Sequence, residues 1–128
     1  ISNVIGKRVF KNSRNNHKLF FDNFLGYKKN KKIITVNNDF KDFISINQFM
    51  KVVKQVIEHK IKGIYNVSLG QKVYISEIVE WLDNKFFKNI KFIDSQKDSF
   101  TLSNKKLLKK IKISLTKKQL KLFCKKLI

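Results

Sequence analysis

The chain alternates between two hydrophobic periods, one typical of helices and one typical of strands. Apolar residues at helical spacing predict helices over 17–27, 47–59 and 76–82, then a short one through Leu107 and Leu108 and a last one after Thr116. Short β-branched runs bounded by turn residues predict strands at 1–5, 32–36, 43–46, 64–67, 73–75 and 90–93. Strands that alternate with helices predict an α/β fold.

Polar residues precede most of the predicted helices and are suitable N-caps. These residues are Asn47, Ser76, Thr116, and either Ser103 or Asn104. No internal repeat or flexible linker interrupts the pattern, so we expect residues 1–128 to form one unit.

The charge balance is strongly basic, with 29 Lys+Arg against 9 Asp+Glu and a formal net charge of +20. This surplus favours an anionic partner. The lysines are spread along the chain, and the scarcity of Arg together with the absence of Pro and Ala is typical of an AT-rich coding sequence. Compositional drift therefore explains most of the charge, and nucleic-acid binding is the alternative rather than the leading hypothesis.

Cys124 is the single cysteine, which excludes an internal disulfide and favours a reducing, cytoplasmic compartment. We expect it to be a small apolar residue in the last helix. The apolar runs are shorter than the roughly 20 residues that span a bilayer, so no membrane association is expected. The chain begins with ISNVIG, which resembles the middle of a core strand. We therefore expect a fragment of a longer protein.

Few residues of the sequence form patterns typical of a catalytic or metal-binding site. His17 and His59 lie in different predicted helices, and no Cys/His/carboxylate cluster has metal-binding spacing, so neither a metal site nor a catalytic triad is predicted. Tyr27 and Lys31 have YxxxK spacing, but Gly26 and the following lysines indicate that the helix has ended there. The phenylalanines recur at buried spacing, which favours core packing over base stacking. Polar residues at strand ends are the remaining candidates.

Four segments occur in an order that resembles a known family. ISNVIG is similar to R-x-x-N-x-x-G, and KDFISINQFMKVVKQVI is similar to R-D-[FY]-I-x-V-x-D and its following helix. GIYNVSLGQKVYISEIVEWL resembles G-x-[YF]-N-[VI]-G-x-G-x-x-x-S-x-x-E, and DSFTLSNKKLLKKI resembles D-x-x-x-L-[DS]-x-x-K. Together they resemble the C-terminal half of the extended short-chain dehydrogenases, the NAD-dependent nucleotide-sugar epimerases, dehydratases and reductases.

The resemblance implies the last strands of a Rossmann-type NAD(P)-binding fold and a small α/β substrate-binding domain. NAD or NADP would be bound mainly by a preceding part, which would also carry the dinucleotide loop and the catalytic Tyr and Lys, so no catalytic residue is assigned here. Ile1 and Ser2 would lie beside the nicotinamide. The substrate-binding residues implied for a nucleotide sugar are Asn3, Asn16, Ile34, Val36, Lys41, Lys97 and Asp98.

Several positions depart from the family pattern. Lys41 and Lys97 stand where an Arg is usual, and a lysine lacks the bidentate fork that an Arg offers to a diphosphate. Ser68 replaces a Gly, and Asn47-Gln48 replaces an acidic residue. The full-length enzyme is expected to be a homodimer and this chain to be inactive alone. A basic nucleic-acid-binding domain and a noncatalytic domain of the same fold stay open as alternatives.

Overall fold

The computed structural model describes residues 3–6, 26 and 33–127. The strands that it bounds are β1 Asn3–Ile5, β2 Ile34–Asn37, β3 Phe40–Lys41, β4 Phe43–Ser45, β5 Val73–Tyr74 and β6 Ile90–Ile93. The helices are α1 Ile46–Glu58, α2 Ile75–Leu82, α3 Asn84–Phe87, α4 Lys105–Leu108 and α5 Lys117–Lys125. The predicted mixed α/β class is confirmed. The predicted helix 17–27 lies outside the described residues, apart from Gly26.

The described strands pair two by two. β1 lies parallel to β4, with Asn3 opposite Phe43, and β2 lies parallel to β6, with Ile34 opposite Ile90. β3 and β5 form a short antiparallel ribbon in which Lys41 is opposite Val73. Parallel strands need apolar cover on both faces, and all three residues of β4 are buried beneath α1 and α5. The core is therefore built around β4.

α1 begins two residues earlier than a cap at Asn47 would place it. Ser45 is the N-cap: its hydroxyl accepts from the Gln48 backbone N–H at 3.1 Å, and its own N–H donates to Gln48 Oε1 at 3.0 Å. The prediction that Asn47 caps this helix is wrong, as is the prediction that Ile46 is extended. Ser45 takes the cap because Gln48 lies three residues after it, which is the spacing of a capping box.

The N-termini of α1 and α5 are joined side by side. Thr116 caps α5 as predicted, with its hydroxyl accepting from the Gln119 N–H. Gln48 Nε2 donates to the Thr116 carbonyl at 3.1 Å and to Gln119 Oε1 at 3.3 Å. The two capping boxes therefore share hydrogen bonds, and Gln48 locks α1 against α5.

The cap of α2 comes from another part of the chain. Asn38 Oδ1 accepts from the Ser76 backbone N–H at 3.0 Å, and Glu77 accepts from the Tyr74 N–H. Ser76 is therefore the second helical residue and not the N-cap, and Ile75 is helical rather than extended. Glu77 lies in the first turn as predicted, whereas Glu80 lies beyond it. The side-chain amide of Asn38 therefore takes the place of the expected local cap, and the sequence around α2 gives no sign of this contact.

The predicted strand 64–67 is wrong, because this segment is a loop. Gly63 has a φ of +117°, and Ile64 is 89% exposed. The loop is held by side chains instead of a strand ladder: Asn66 Nδ2 donates to the Ser103 carbonyl at 3.0 Å, and the Ser68 hydroxyl donates to the Leu102 carbonyl at 2.9 Å. An apolar β-branched run thus lies beside residues 102–104 without pairing with them as a strand.

A buried carboxylate fastens these loops to β4, and we call this arrangement the Asp42 clasp. Asp42 has no solvent exposure. Its carboxylate accepts from the backbone N–H groups of Leu69 at 2.8 Å, Gly70 at 2.9 Å and Leu102 at 3.3 Å. Asn104 strengthens the clasp by donating to the carbonyls of Ser68 and Leu69. One side chain therefore fixes two separate loop segments to the start of β4.

Other element boundaries shift by one or two residues, as is usual at strand and helix ends. β2 is Ile34–Asn37 rather than 32–36, and β3 and α3 were not predicted separately. On α5, Leu120 and Cys124 are buried, whereas Leu122 is exposed. Among the described residues, no helix has the length and hydropathy that a bilayer span requires.

Candidate functional site

A polar cleft of about 550 Å³ lies where β2 and β6 end. Its lining residues are Asn38, Tyr74, Ser76, Asp94, Ser95 and Gln96. Because β2 and β6 are parallel, their carboxyl ends meet at one edge, and ligands in open α/β sheets bind beyond that edge. The cleft is therefore the candidate ligand site of this chain.

The start of α2 forms one wall of the cleft and is held in place by the segment after β2. The Asn38 N–H donates to the Ile93 carbonyl at 2.7 Å, and the Ile75 N–H donates to the Asp39 carbonyl at 3.0 Å. Together with the hydrogen bond from the Ser76 N–H to the Asn38 side chain, these contacts hold Asn38 between the end of β6 and the start of α2. The cleft is therefore preformed by backbone contacts.

Aromatic and cationic groups flank the same edge. Phe40 and Tyr74 pack edge to face with their ring centroids 5.8 Å apart, and Lys72 Nζ lies 4.5 Å from the Phe40 ring centroid. Tyr74 lines the cleft, so this pair connects the cleft to the β3–β5 ribbon. Aromatic surface beside the Lys72 ammonium group suits a ligand that has both a planar ring and negative charge.

Lys97 and Asp98 lie on an exposed turn that begins at the cleft. Gln96 lines the cleft, and the Ser99 N–H donates to its carbonyl at 3.4 Å, which closes the turn. The turn is tied to β3 because the Phe40 N–H donates to Ser99 Oγ at 3.1 Å and the Phe100 N–H donates to the Phe40 carbonyl at 3.1 Å. Lys97 and Asp98 thus lie on a fixed, exposed turn directly after the cleft residue Gln96, and their contact with a substrate stays a prediction.

Lys41 on β3 and Asn3 on β1 are connected to the same turn through hydrogen-bonded segments. Lys41 is half-buried and follows Phe40, the residue that anchors the Lys97 turn. Asn3 is exposed, and both its backbone N–H and its side-chain amide donate to the carbonyl of Asp42, at 3.0 and 3.4 Å. Consecutive hydrogen-bonded segments therefore connect Asn3, Lys41 and the Lys97 turn.

Ile34 and Val36 share the half-buried face of β2, while Thr35 and Asn37 are exposed. Ile34 packs against the hydrophobic core. Both residues precede the cleft on the strand that leads into it. The expected contact of Ile34 and Val36 with a base stays a prediction. Ile1, Ser2 and Asn16 lie outside the described residues.

Most of the residues that line the cleft are not distinguished by any pattern in the sequence. Tyr74 and Ser76 were assigned to secondary structure, and Asp94, Ser95 and Gln96 follow a predicted strand without having been singled out. The signal was the position of these three residues after a strand that ends at Ile93. This signal points to a cleft only once β6 is known to pair with β2, and the two strands are far apart in the sequence.

Groups for catalysis are sparse within the described part of the chain. It holds no group of three or more His, Cys, Asp or Glu residues able to bind a metal ion. Cys124 is fully buried, and desolvation by burial raises the pKa of its thiol from 9.0 to about 12. A thiol of this pKa is a poor nucleophile at neutral pH, so the expected structural role of Cys124 is confirmed.

No family model matches the chain, and no curated protein matches it. Solved structures do. One is a UDP-N-acetylglucosamine 4-epimerase from Methanobrevibacter ruminantium M1 in complex with UDP-N-acetylmuramic acid, with a TM-score of 0.70 and 20% identity over 98% of this chain. Another is RMD from Pseudomonas aeruginosa complexed with NADPH, with a TM-score of 0.55 and 19% identity over 80% of this chain.

These likenesses show a shared fold. The chain spans 42% of the epimerase and 38% of RMD, so it is similar to less than half of either protein. Both structures hold a ligand of a kind that the sequence resemblance implied, a nucleotide sugar in one and a nicotinamide cofactor in the other.

Proposed function

We propose that this chain is the C-terminal, substrate-binding half of an NAD(P)-dependent epimerase, dehydratase or reductase that acts on a nucleotide-activated sugar. The observation that carries the proposal is the match of 98% of the chain to part of a nucleotide-sugar epimerase. The family resemblance of four ordered motifs supports it independently. A polar cleft beyond two parallel strand ends supports it further.

In the proposed complex the substrate's diphosphate lies between lysines. Lys41 on β3 and Lys97 on the adjoining turn neutralise its charge, and the Asn3 amide donates to its oxygens. Asp98 completes the rim. Ile34 and Val36 lie on the strand beside the base, and Asn16 contacts the nucleotide. The cleft lined by Asp94, Ser95 and Gln96 accommodates part of the nucleotide sugar.

The cofactor, NAD or NADP, accepts or supplies the hydride when bound. In the proposed complex, Ile1 and Ser2 form a wall beside the nicotinamide, and a polypeptide that precedes Ile1 binds the rest of the cofactor. The proton is moved by a tyrosine of that preceding part, so this chain alone binds and orients substrate without turning it over. The complete protein is proposed to be a cytoplasmic homodimer.

The test uses the complete protein and substitutions in the proposed site. Lys41→Ala should raise KM for the nucleotide sugar about tenfold or more while leaving the fold intact, since one charge-assisted phosphate contact contributes roughly 1.5–3 kcal/mol. Lys41→Arg should preserve binding. Lys54→Ala is the matched control, because Lys54 is an exposed lysine on α1, where its i,i+4 partner is Glu58. An unchanged KM in both Lys41→Ala and Asn3→Ala would refute the site.

One observation favours a second candidate, binding to a polyanion such as nucleic acid. Residues 99–128 contain lysines but no Asp or Glu. This candidate predicts RNA or DNA binding whose affinity falls steeply with salt. A charge-reversal pair on α5, Lys118→Glu with Lys125→Glu, should then abolish binding, whereas it should leave nucleotide-sugar turnover unchanged. A protein that binds neither ligand would be the noncatalytic domain.

A further inference from the structure

The helix α5 carries three lysines along the side that packs against α2. Lys117, Lys121 and Lys125 are four residues apart, a spacing that places side chains on one side of a helix. Lys117 Nζ and Lys121 Nζ lie 6.0 and 5.9 Å from the ring centroid of Trp81 on α2. Lys121 and Lys125 line one cleft together with Trp81. The row of lysines therefore follows the seam between the two helices.

The first of the three lysines is already paired with a carboxylate. Lys117 Nζ lies 2.8 Å from Glu77 Oε2, so these two charges neutralise each other. Within the part of the chain that the structure describes, Lys121 and Lys125 make no ion pair. Two ammonium groups one helical turn apart are therefore left without a counter-charge.

A cleft of about 260 Å³ lies beside these two ammonium groups. Its lining residues are Glu80, Trp81, Asn84, Lys121 and Lys125. Four of the five side chains carry hydrogen-bond donors, namely two ammonium groups, an indole N–H and a side-chain amide. Glu80 supplies the one carboxylate of the lining. A concave site in which donors outnumber acceptors suits an anion that accepts several hydrogen bonds.

The indole of Trp81 gives a second, independent sign that an acceptor belongs in this cleft. Trp81 is 7% exposed, and no described residue accepts a hydrogen bond from its indole N–H. A buried Trp N–H usually has a partner, and a buried donor without one indicates a place where water or an ion binds. Because Trp81 lines the cleft, an oxygen atom bound there can supply this partner.

We propose that this cleft binds the phosphate group of a small phosphate monoester, such as a sugar phosphate. Lys121 and Lys125 neutralise the phosphate, because charge-assisted hydrogen bonds to phosphate oxygens are the strong ones. The Trp81 N–H and the Asn84 amide donate to the same oxygens. Glu80 accepts a hydrogen bond from a hydroxyl group of the ligand.

The size and position of the cleft separate it from the proposed nucleotide-sugar site. Its volume of about 260 Å³ lies below the roughly 300–1,000 Å³ of sites for drug-sized ligands, which favours a ligand smaller than a nucleotide sugar. It shares no lining residue with the cleft beyond β2 and β6. The phosphate site is therefore a second site on this chain, and it does not rest on the proposed function.

Isothermal titration calorimetry on the complete protein tests the proposal, with inorganic phosphate, glucose 6-phosphate and glucose as probes. Glucose 6-phosphate should bind, inorganic phosphate should bind more weakly, and glucose should not bind. Lys121→Gln should weaken the binding of glucose 6-phosphate about tenfold or more, whereas Lys121→Arg should preserve it. Lys118→Gln is the matched control, because Lys118 is exposed on the same helix, does not line the cleft and lies about 100° around the helix from Lys117.

Trp81→Phe tests the indole donor separately. The substitution keeps an aromatic ring in the core but removes the N–H, so the affinity for glucose 6-phosphate should fall about threefold or more. Far-UV circular dichroism shows whether this variant is folded. If it is not, Lys121→Gln and Lys125→Gln carry the test, since both lysines are exposed. A folded Trp81→Phe variant with unchanged affinity would contradict the role of the indole N–H.

Four results would overturn the proposal. The first is unchanged affinity in both Lys121→Gln and Lys125→Gln. The second is loss of phosphate binding in Lys41→Ala instead, which would assign the anion to the proposed nucleotide-sugar site. The third is binding of RNA alone, weakened equally by Lys118→Gln and Lys121→Gln, which would indicate a polyanion surface. The fourth is equal affinity for inorganic phosphate and glucose 6-phosphate, which would leave no role for Glu80 and assign the site to inorganic phosphate.

The KM for the nucleotide sugar is measured separately in Lys121→Gln and should not change. Failure of the phosphate site would therefore leave the proposed function standing. Conversely, a protein without nucleotide-sugar turnover that binds glucose 6-phosphate through Lys121 would refute only the proposed function.

Discussion

The Asp42 clasp provides the most direct test of how this fold is held together. Asp42→Asn keeps the size of the side chain but replaces one carboxylate oxygen with an NH₂ group. In either orientation of the amide, at least one of the backbone N–H groups of Leu69, Gly70 and Leu102 then faces another donor. The substitution therefore leaves a backbone donor unpaired, and the Leu69 N–H lies in the buried part of the clasp.

The expected cost follows from the kinds of bond lost. A hydrogen bond to a charged group contributes roughly 1.5–3 kcal/mol, and an unpaired buried donor costs about 1–3 kcal/mol. Asp42→Asn should therefore lower the free energy of unfolding by about 3–5 kcal/mol, a large fraction of the roughly 5–15 kcal/mol of a typical domain.

Urea unfolding followed by far-UV circular dichroism measures this loss. At an m-value of about 2 kcal/mol/M, the midpoint should fall by roughly 2 M. Asp98→Asn is the matched control, because Asp98 is exposed on a turn and its substitution should change stability by less than about 0.5 kcal/mol. If Asp42→Asn stayed within about 1 kcal/mol of the parent chain, the clasp would not be the main tie between β4 and the loops.

Three further predictions concern the same core. Gly70→Ala should destabilise the chain by about 2–4 kcal/mol, because the φ of residue 70 is +73° and an added Cβ would lie 2.9 Å from Asn104 Oδ1. Thermal unfolding measures this loss, and an unshifted Tm would contradict it. Gln48→Ala and Gln119→Ala should be coupled by about 0.5–2 kcal/mol in a double-mutant cycle, whereas additive effects would mean that the two capping boxes act independently. Burial raises the pKa of Cys124 from 9.0 to about 12, so the stability that this residue contributes should fall as pH rises through that interval. In urea titrations, the difference in free energy of unfolding between the parent chain and Cys124→Ala should shrink there, and parallel pH profiles would refute it.

The sequence predicted those features that depend on neighbouring residues. The centres of α1 and α2 were found because Val52, Ile78 and Leu82 follow the helical period and are buried. Boundaries were less predictable, since a cap depends on which polar atom reaches a backbone N–H. Asn38 caps α2 from a distance of 38 positions, and no local pattern encodes such a contact.

The candidate site was harder to predict for a related reason. Its cleft exists because β2 and β6 pair across a long intervening segment. The segment 64–67 failed as a strand for the same reason, since a β-branched run becomes a strand only when a neighbour supplies hydrogen bonds. Here Asn66 contacts residue 103 through its side chain, and Ile64 stays in solvent.

The clasp also explains why a resemblance can be recognised at 20% identity to a structure of similar fold. Asp42, Asn66 and Gly70 are motif positions of the resemblance, and each is used to satisfy or shape the backbone. These residues determine how the loops lie against β4, so they carry information about the fold. Lys41 and Lys97, where the chain departs from the usual Arg, lie instead on β3 and on the exposed turn that follows the cleft residue Gln96. The motif residues therefore account for the fold. Which substrate the protein binds must be determined by binding measurements on variants of Lys41 and Lys97.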